Sequence, residues 1–279
     1  VSNARLIDPG DKPDLPVYSI PAALFHAFPD RRVMLRTGNP AEPERILGRE
    51  VPERVVLIQL NELSADMAPL AAWGEGLPLD LMMRNPVSEL PLLYRGTGLL
   101  ARHPVRVTVP LMSGAAPAVK LALSLGFAVR LAGHQPSPEA VEEARRVLDG
   151  YLHNPTVSQP VEPFHGLLLA LLHNSPLSLW SLLERDPAQV RVVDQSGAEV
   201  SDQAPASVQA FLGDLLAQGA ECRDCDWLGV CNGYFKWRRT DYSCSEVKEL
   251  LADIKAAAAE LRQGLADYEA SLGGAGNGI

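Results

Sequence analysis

Residues 105–132 read VRVTVPLMSGAAPAVKLALSLGFAVRLA, and this stretch decides the fold. Segments 105–111 (VRVTVPL) and 127–132 (FAVRLA) are largely apolar runs of strand length, and 115–125 between them has a helical pattern. A strand, a helix and a second strand in so few residues form a βα unit, whose crossover suits a parallel pair. The same alternation extends outward. Upstream, 55–60 (VVLIQL) and 79–83 (LDLMM) read as strands, and 65–73 and 89–102 as helices, the second weakened by Gly96 and Gly98. Downstream, 139–152 reads as a helix with Ser137 as N-cap and Pro138 in its first position. Strand starts near 55, 79, 105 and 127 give a repeat of roughly 24 residues. Runs with little polar alternation predict strands buried on both faces. The fold expected is α/β, a partial (β/α) barrel or half-barrel built on four such units.

The flanks read differently. Residues 1–50, rich in proline and charge, are expected to be an irregular lead-in with one short strand over 32–36 and a turn at Thr37-Gly38-Asn39-Pro40. After Asn154 the repeat stops. Helices are expected over 162–173 and 178–185, and a hairpin of 190–193 with 199–200 around Gln195-Ser196-Gly197. Ala204-Pro205 marks a boundary. Val208, Phe211, Leu212, Leu215 and Leu216 then space as one helical face ending at Gly219. A long last helix over 245–271 carries Val247, Leu250, Leu251, Ile254, Ala258, Leu261 and Leu265 as its apolar stripe, before a glycine-rich tail expected to be flexible. The division expected is a lead-in over 1–50, a barrel-like domain over 51–205 and a small cysteine-rich domain over 206–279.

Composition bounds the function. The 279 residues are 47% apolar and 21% charged, an ordinary globular balance and enough chain to bury a core without a metal or disulfide. A net charge of −9 with only one short basic cluster, Lys236-Trp237-Arg238-Arg239, argues against nucleic acid as partner. No apolar run approaches the ~20 residues of a membrane span, and residues 1–14 are polar rather than signal-like. A cytoplasmic protein is expected.

The four cysteines, Cys222, Cys225, Cys231 and Cys244, fall within 23 consecutive residues, and none precedes them. So tight a cluster in a chain otherwise free of cysteine reads as one site. The spacing C-x2-C-x5-C-x12-C lets two thiolates hold a centre from a tight turn, with the third closing the loop and the fourth arriving on the next element. Gly229 and Gly233 supply the loop with conformational freedom. Cys244 adjoins the expected start of the last helix, where Ser243 and Glu246 fit a capping box and the helix dipole favours a thiolate. Four thiolates suit zinc or an iron–sulfur cluster, with disulfides or free thiols the remaining reading.

Residues 222–244, CRDCDWLGVCNGYFKWRRTDYSC, resemble the SPASM or twitch domain of radical-SAM peptide-modifying enzymes. The resemblance implies that Cys222, Cys225, Cys231 and Cys244 hold one auxiliary 4Fe-4S cluster, and Gly233 also matches. The family's next cysteine is Phe235 here. Its catalytic C-x3-C-x2-C is missing after the first barrel strand, which ends in Asn61-Glu62-Leu63-Ser64. Glu62 stands nearest the family's SAM-binding Gly-Gly-Glu, without the glycines. The resemblance therefore implies a degenerate member that does not cleave SAM. Such a protein would be an accessory, electron-relaying or non-catalytic, of a peptide-modification system, with a radical-SAM enzyme or a precursor peptide as partner.

Other residues carry weaker signals. Asn61, Glu62, Arg84, Asn85, Ser113, His134 and Gln135 lie at the carboxyl ends of the expected strands, where parallel α/β folds place ligands. They could form an enzyme site, or simply cap helices and close loops. Trp227 and Tyr234 could shield a cluster or serve as core aromatics, and the basic cluster could meet an acidic peptide, a partner or the negative charge of a thiolate cluster, or be a solvated loop. No histidine pair has metal-ligand spacing, and neither a phosphate loop nor a nucleophile elbow is present. The alternatives to the accessory reading are a structural four-cysteine zinc module and an enzyme working at the strand ends around Glu62, Arg84 and His134.

Overall fold

The computed structural model describes residues 16–200 and 204–274. Its centre is a curled half-barrel of eight strands, β1 (Val17–Pro21), β2 (Val33–Thr37), β3 (Val55–Leu60), β4 (Leu79–Met82), β5 (Val105–Pro110), β6 (Ala128–Ala132), β7 (Val161–Glu162) and β8 (Val190–Val192). The spatial order is β7-β6-β5-β4-β3-β2-β1-β8 and every pair is parallel. Chain order equals spatial order from β1 to β7, as successive right-handed crossovers produce. β7 and β8 are the two edges, so the sheet does not close.

The four central strands stand where the apolar runs predict them. In 16–50 the expected strand over 32–36 is present as β2 and the expected turn follows it, but the remainder is not irregular. That stretch carries β1, a 3-10 turn over Ala22–Ala27, β2 and the helix α1 (Glu42–Leu47), while residues 1–15 lie outside the described residues. The expected hairpin is present: Val200 N donates to the Val192 carbonyl at 2.7 Å, Asp194 N to the Ala198 carbonyl at 2.9 Å, and Val193 bridges Glu199. Its first arm, residues 190–192, also pairs in parallel with β1, which the sequence reading did not anticipate. A three-residue strand gains most by extending an existing sheet, where its backbone groups find partners in register.

The crossovers vary. Helix α2 (Ala68–Ala72) is shorter than expected. Over 86–101 a brief helix α3 (Pro86–Glu89) runs into a 3-10 helix, Leu90–Ala101. Leu93, Gly96 and Leu99 are its buried positions. That inward period of three matches the three residues per turn of a 3-10 helix and not the 3.6 of an α-helix. Gly96 lets this helix lie against the sheet, since a Cβ there would stand 2.8 Å from Leu81 Cδ1 and 3.4 Å from Phe127 Cζ, both fully buried side chains. Gly96→Ala is expected to cost about 1–3 kcal/mol through overpacking, read as a lower urea midpoint at unchanged slope. A midpoint equal to wild type would show that the helix rides freely.

Helix α4 (Ala115–Ser124) has its first turn capped from a neighbour, as Glu143 accepts from Ala116 N at 2.8 Å. Helix α5 (Pro138–His153) begins as the sequence indicates, with Ser137 Oγ accepting from Ala140 N. Then come α6 (Phe164–His173), α7 (Leu179–Leu182), α8 (Val208–Ala217), the short α9 (Leu228–Cys231) and the long α10 (Ser245–Gly274). Helix α10 packs on α5 and α6. Val247, Leu250, Leu251, Ile254 and Ala258 of its stripe are buried, whereas Leu261 and Leu265 are exposed, because α10 runs past the elements that could cover them. One apolar core runs from Tyr18 on β1 through the helix-facing side of the sheet to Tyr234 and Ile254. No described helix is long and apolar enough to cross a membrane.

The two faces of the sheet differ in kind. Val105, Val107, Val109, Val129 and Leu131 face the helices. Alternate positions on these strands carry Arg106, Thr108 and Arg130, and β4 carries Asp80, all buried. The strands are thus buried on both faces as expected, but the concave face buries a charged network. Asp80, fully buried, accepts from Arg106 at 2.6 Å, from Arg130 at 3.1 Å and from Thr108 Oγ1 at 2.6 Å. Glu184, after α7, accepts from Arg106 Nη1 at 2.6 Å and is paired with Arg130. Glu184 sits at φ 56°, a left-handed conformation costing a non-glycine residue about 1–2 kcal/mol, which its two guanidinium partners offset. Burial opposes the ionisation of Asp80, but Arg106 and Arg130 outweigh it, and the carboxyl lies below its usual range. The same balance depresses Glu184.

Candidate functional site

The cysteines arrive on a segment that turns three times in little space. Cys222 lies in a 3-10 turn, Glu221–Asp224, and Cys231 closes α9. Asn232 (φ 47°) and Gly233 (φ 76°) then reverse the chain in the left-handed region. Of the two glycines expected to free the loop, only Gly233 takes such a conformation. It also permits a close approach, since a Cβ there would come within 2.9 Å of Leu215 Cδ1 on α8. Cys244 immediately precedes α10, and its carbonyl accepts from Lys248 N at 2.9 Å in the helix's first turn. The expected capping box gives way to a hydroxyl pair, Ser243 Oγ to Ser245 Oγ at 3.1 Å.

All four cysteines line one small cavity of about 20 Å3, walled by Trp227, Leu228, Phe235, Val247 and Leu251. All four are free thiols, with Cys222 and Cys244 buried and the other two half-buried. Burial raises the Cys222 and Cys231 thiols and pushes Cys244 up to about 12. Opposing influences are built in. Backbone N–H groups of Phe235, Tyr234 and Gly233 favour the Cys231 thiolate, and Lys236 favours those of Cys222 and Cys244. Of the readings of the basic cluster, Lys236 fits the one that sets it against the charge of the thiolates, and it is buried rather than solvated. Its Nζ donates to Glu221 at 2.6 Å and to the Tyr242 carbonyl. Lys248 holds the same Glu221 at 2.8 Å, and hydrogen bonds from the two ammonium groups bring that carboxyl down to about 2.

Among the described residues, no three His, Cys, Asp or Glu side chains stand in an arrangement that holds one metal ion. Tetrahedral zinc, with Zn–S bonds of about 2.3 Å, draws its four sulfurs to within about 4 Å of one another. These four thiols share one cavity. As a donor set they are purely soft, fitting zinc, copper(I) or an iron–sulfur cluster and not a hard oxygen-seeking ion.

No family model, no curated protein and no solved structure matches this chain. The site therefore rests on its own residues.

The strand-end residues do not assemble into one centre. Glu62 and Arg84 form a solvent-exposed pair at 3.7 Å, with Glu62 also accepting from Ser64 Oγ at 2.5 Å. Asn85 caps α3, accepting from Val87 N at 2.9 Å and Ser88 N at 3.1 Å. Ser113 is exposed. Gln135 latches the cysteine segment to the sheet, donating to the Phe235 and Arg239 carbonyls at 2.9 Å each and accepting from Arg239 Nε at 3.2 Å. Only Asn61 lines a cavity on the concave face, which the pattern of single strands could not announce.

His134 is placed elsewhere again. Its ring lies 4.6 Å from Tyr234 and 6.1 Å from Trp180, and its Nε2 is buried without a partner. Burial, then Arg185 and Arg238, lower it from 6.5 to about 4. The unfolded chain takes up that proton first as pH falls, so this histidine lowers stability progressively from about pH 6.5 to about 4 and has no effect above. His134→Phe is expected to flatten that part of the profile, measured as urea midpoints at pH 7 and pH 5. An unchanged difference between the two would remove His134 as its source. Trp227 lines the cysteine cavity, with Lys255 5.8 Å over its ring. Tyr234 is a core aromatic, fully buried, with its hydroxyl donating to the Gly133 carbonyl at 3.1 Å.

Proposed function

We infer that this protein is an iron–sulfur accessory of a peptide-modification system, holding one 4Fe-4S cluster through Cys222, Cys225, Cys231 and Cys244. The observation that carries this reading is the convergence of all four cysteines on one cavity with apolar walls. A cluster bound there would supply one-electron chemistry. The residues around it do recognisable work. Trp227, Phe235 and Leu251 exclude water. Lys236 and Lys248 offset thiolate charge, and the N–H groups after Asn232 favour the Cys231 sulfur as thiolate. Tyr234 adjoins that sulfur along the chain and also lines the concave cavity, so it stands between the two sites.

All four cysteines of this sequence serve that one cavity, leaving none for a second, SAM-cleaving cluster in these residues. The radical chemistry would then belong to a partner enzyme acting on a precursor peptide, with this protein relaying an electron or bracing the complex. The structural-zinc alternative uses the same four thiols and is separated from the cluster by metal analysis, and the strand-end enzyme is disfavoured because Glu62 and Arg84 pair in solvent while His134 packs on Tyr234 and Trp180. The deciding experiment is iron, zinc and acid-labile sulfide content, with a visible spectrum, on protein purified without oxygen. About four iron and four sulfide per chain with broad visible absorption is expected for the cluster. One zinc without iron would replace this reading with a structural zinc module.

A further inference from the structure

We propose that the concave face of the half-barrel is a binding site for a small organic monocarboxylate with a hydrogen-bonding body, a hydroxy acid or amino acid in size. The site is a cavity of about 260 Å3, whose polar lining includes Ser19, Arg36, Gln59, Asn61, Arg130 and Glu184. It extends from the middle of the strands to their carboxyl ends, the side on which parallel β/α sheets receive ligands. None of this depends on a cluster at the cysteines.

Charge decides what kind of ligand fits. Arg106 and Arg130 are answered by Asp80 and Glu184, two guanidiniums against two carboxylates in direct contact. Arg36 stands outside that account. Its Nη2 donates to the Val193 carbonyl, and its Nε is buried without a partner. The carboxylate that acts on it electrostatically is the solvent-facing Asp194, and burial is the larger influence. Arg185, held by contacts of its own, adds further positive charge to the lining. A half-buried guanidinium to which no carboxylate is bonded among the described residues favours an anion, and its planar fork matches a carboxylate. One such cation suits one negative charge. The second charge of a phosphate dianion would meet repulsion from Glu184 and Asp80.

The neutral polar residues set the rest of the ligand. Ser19 Oγ reaches Gln59 Oε1 at 3.4 Å, and Gln59 Nε2 reaches Asp80 at 3.4 Å. Both bonds are at the long limit, so these buried groups are under-satisfied and gain from a hydroxyl or amino partner. Met34, Met82 and Val190 give the cavity an apolar wall. The volume falls just below the range of about 300–1,000 Å3 typical of drug-sized ligands, which limits the guest to a small molecule.

The test uses the full chain, with thermal shift and titration calorimetry against gluconate, lactate and L-glutamine. Controls are glucose, lactamide, L-glutaminamide and inorganic phosphate. At least one carboxylate should raise Tm saturably while its counterpart without the carboxylate does not, and phosphate should bind more weakly. Arg36→Gln should weaken that binding at least tenfold with an unchanged circular dichroism spectrum. If Arg36→Gln does not fold, Met82→Trp keeps the charges and fills the space, and it should abolish binding. No shift with any of the three carboxylates, phosphate binding as tight as carboxylate, or binding that survives either substitution would each overturn the proposal.

Discussion

Replacing Asp80 with asparagine is expected to cost about 3–5 kcal/mol of stability, the cost of breaking a buried ion pair from one side. Asp80 is fully buried and holds Arg106 at 2.6 Å, Arg130 at 3.1 Å and Thr108 at 2.6 Å. Without its charge, two buried guanidiniums face Glu184 alone. Equilibrium urea unfolding measures the loss, and a change under about 1 kcal/mol would mean that water or rearrangement compensates the cations. A second variant separates the pair's net worth from the cost of breaking it. Changing Asp80, Arg106, Arg130 and Glu184 together to Leu, Met, Met and Leu should recover most of the stability, because desolvating four charges offsets much of their attraction. The network also predicts acid sensitivity. Both carboxyls titrate below their unfolded values. Their contribution is therefore complete above the unfolded carboxylate values near pH 4 and is lost as pH falls through the folded ones. Asp80→Asn should remove its share of that dependence.

Cys231→Ser is the second large expected effect. In protein purified without oxygen it should take iron from about four per chain to below one and abolish the visible absorption, while metal-free protein keeps its fold. Cys231 is chosen because its sulfur is the one favoured by three successive backbone N–H groups, and serine is a poor ligand for a soft metal. Full metal content in this variant would sink the four-cysteine assignment. Loading should also improve with pH, since burial raises Cys222 and Cys231 and pushes Cys244 up to about 12 when metal-free, and each ligand must lose its proton to bind. Uptake no better at pH 8.5 than at pH 6.5 would show that the thiolates are already formed.

These two variants probe opposite ends of what a sequence discloses. The cysteine cavity was legible because its four cysteines fall within 23 residues, so proximity along the chain forces proximity in space. The network was not. Its members, Asp80, Arg106, Arg130 and Glu184, lie on separate elements up to 104 positions apart, the first three each reading as an isolated charge in a hydrophobic run and Glu184 as one of a charged Glu-Arg-Asp cluster. His134 shows the same limit. Its place after a strand was readable, but whether it faced the concave cavity or the aromatic rings of Trp180 and Tyr234 depended on segments far along the chain.

By itself the sequence determined β3 to β6, the start of α5 and the gathering of the cysteines, because hydrophobic periodicity, a serine–proline cap and short spacing are local signals. Tertiary structure alone decided that β1, β2 and β8 join the same sheet, that Lys236 is buried against Glu221, and that the concave face is charged and hollow. A parallel sheet pairs strands that are distant in sequence, and a short strand such as β8 has little character until a neighbour supplies its hydrogen bonds. A buried charge likewise becomes tolerable only once its partner arrives, and here the partners come from the far side of the fold.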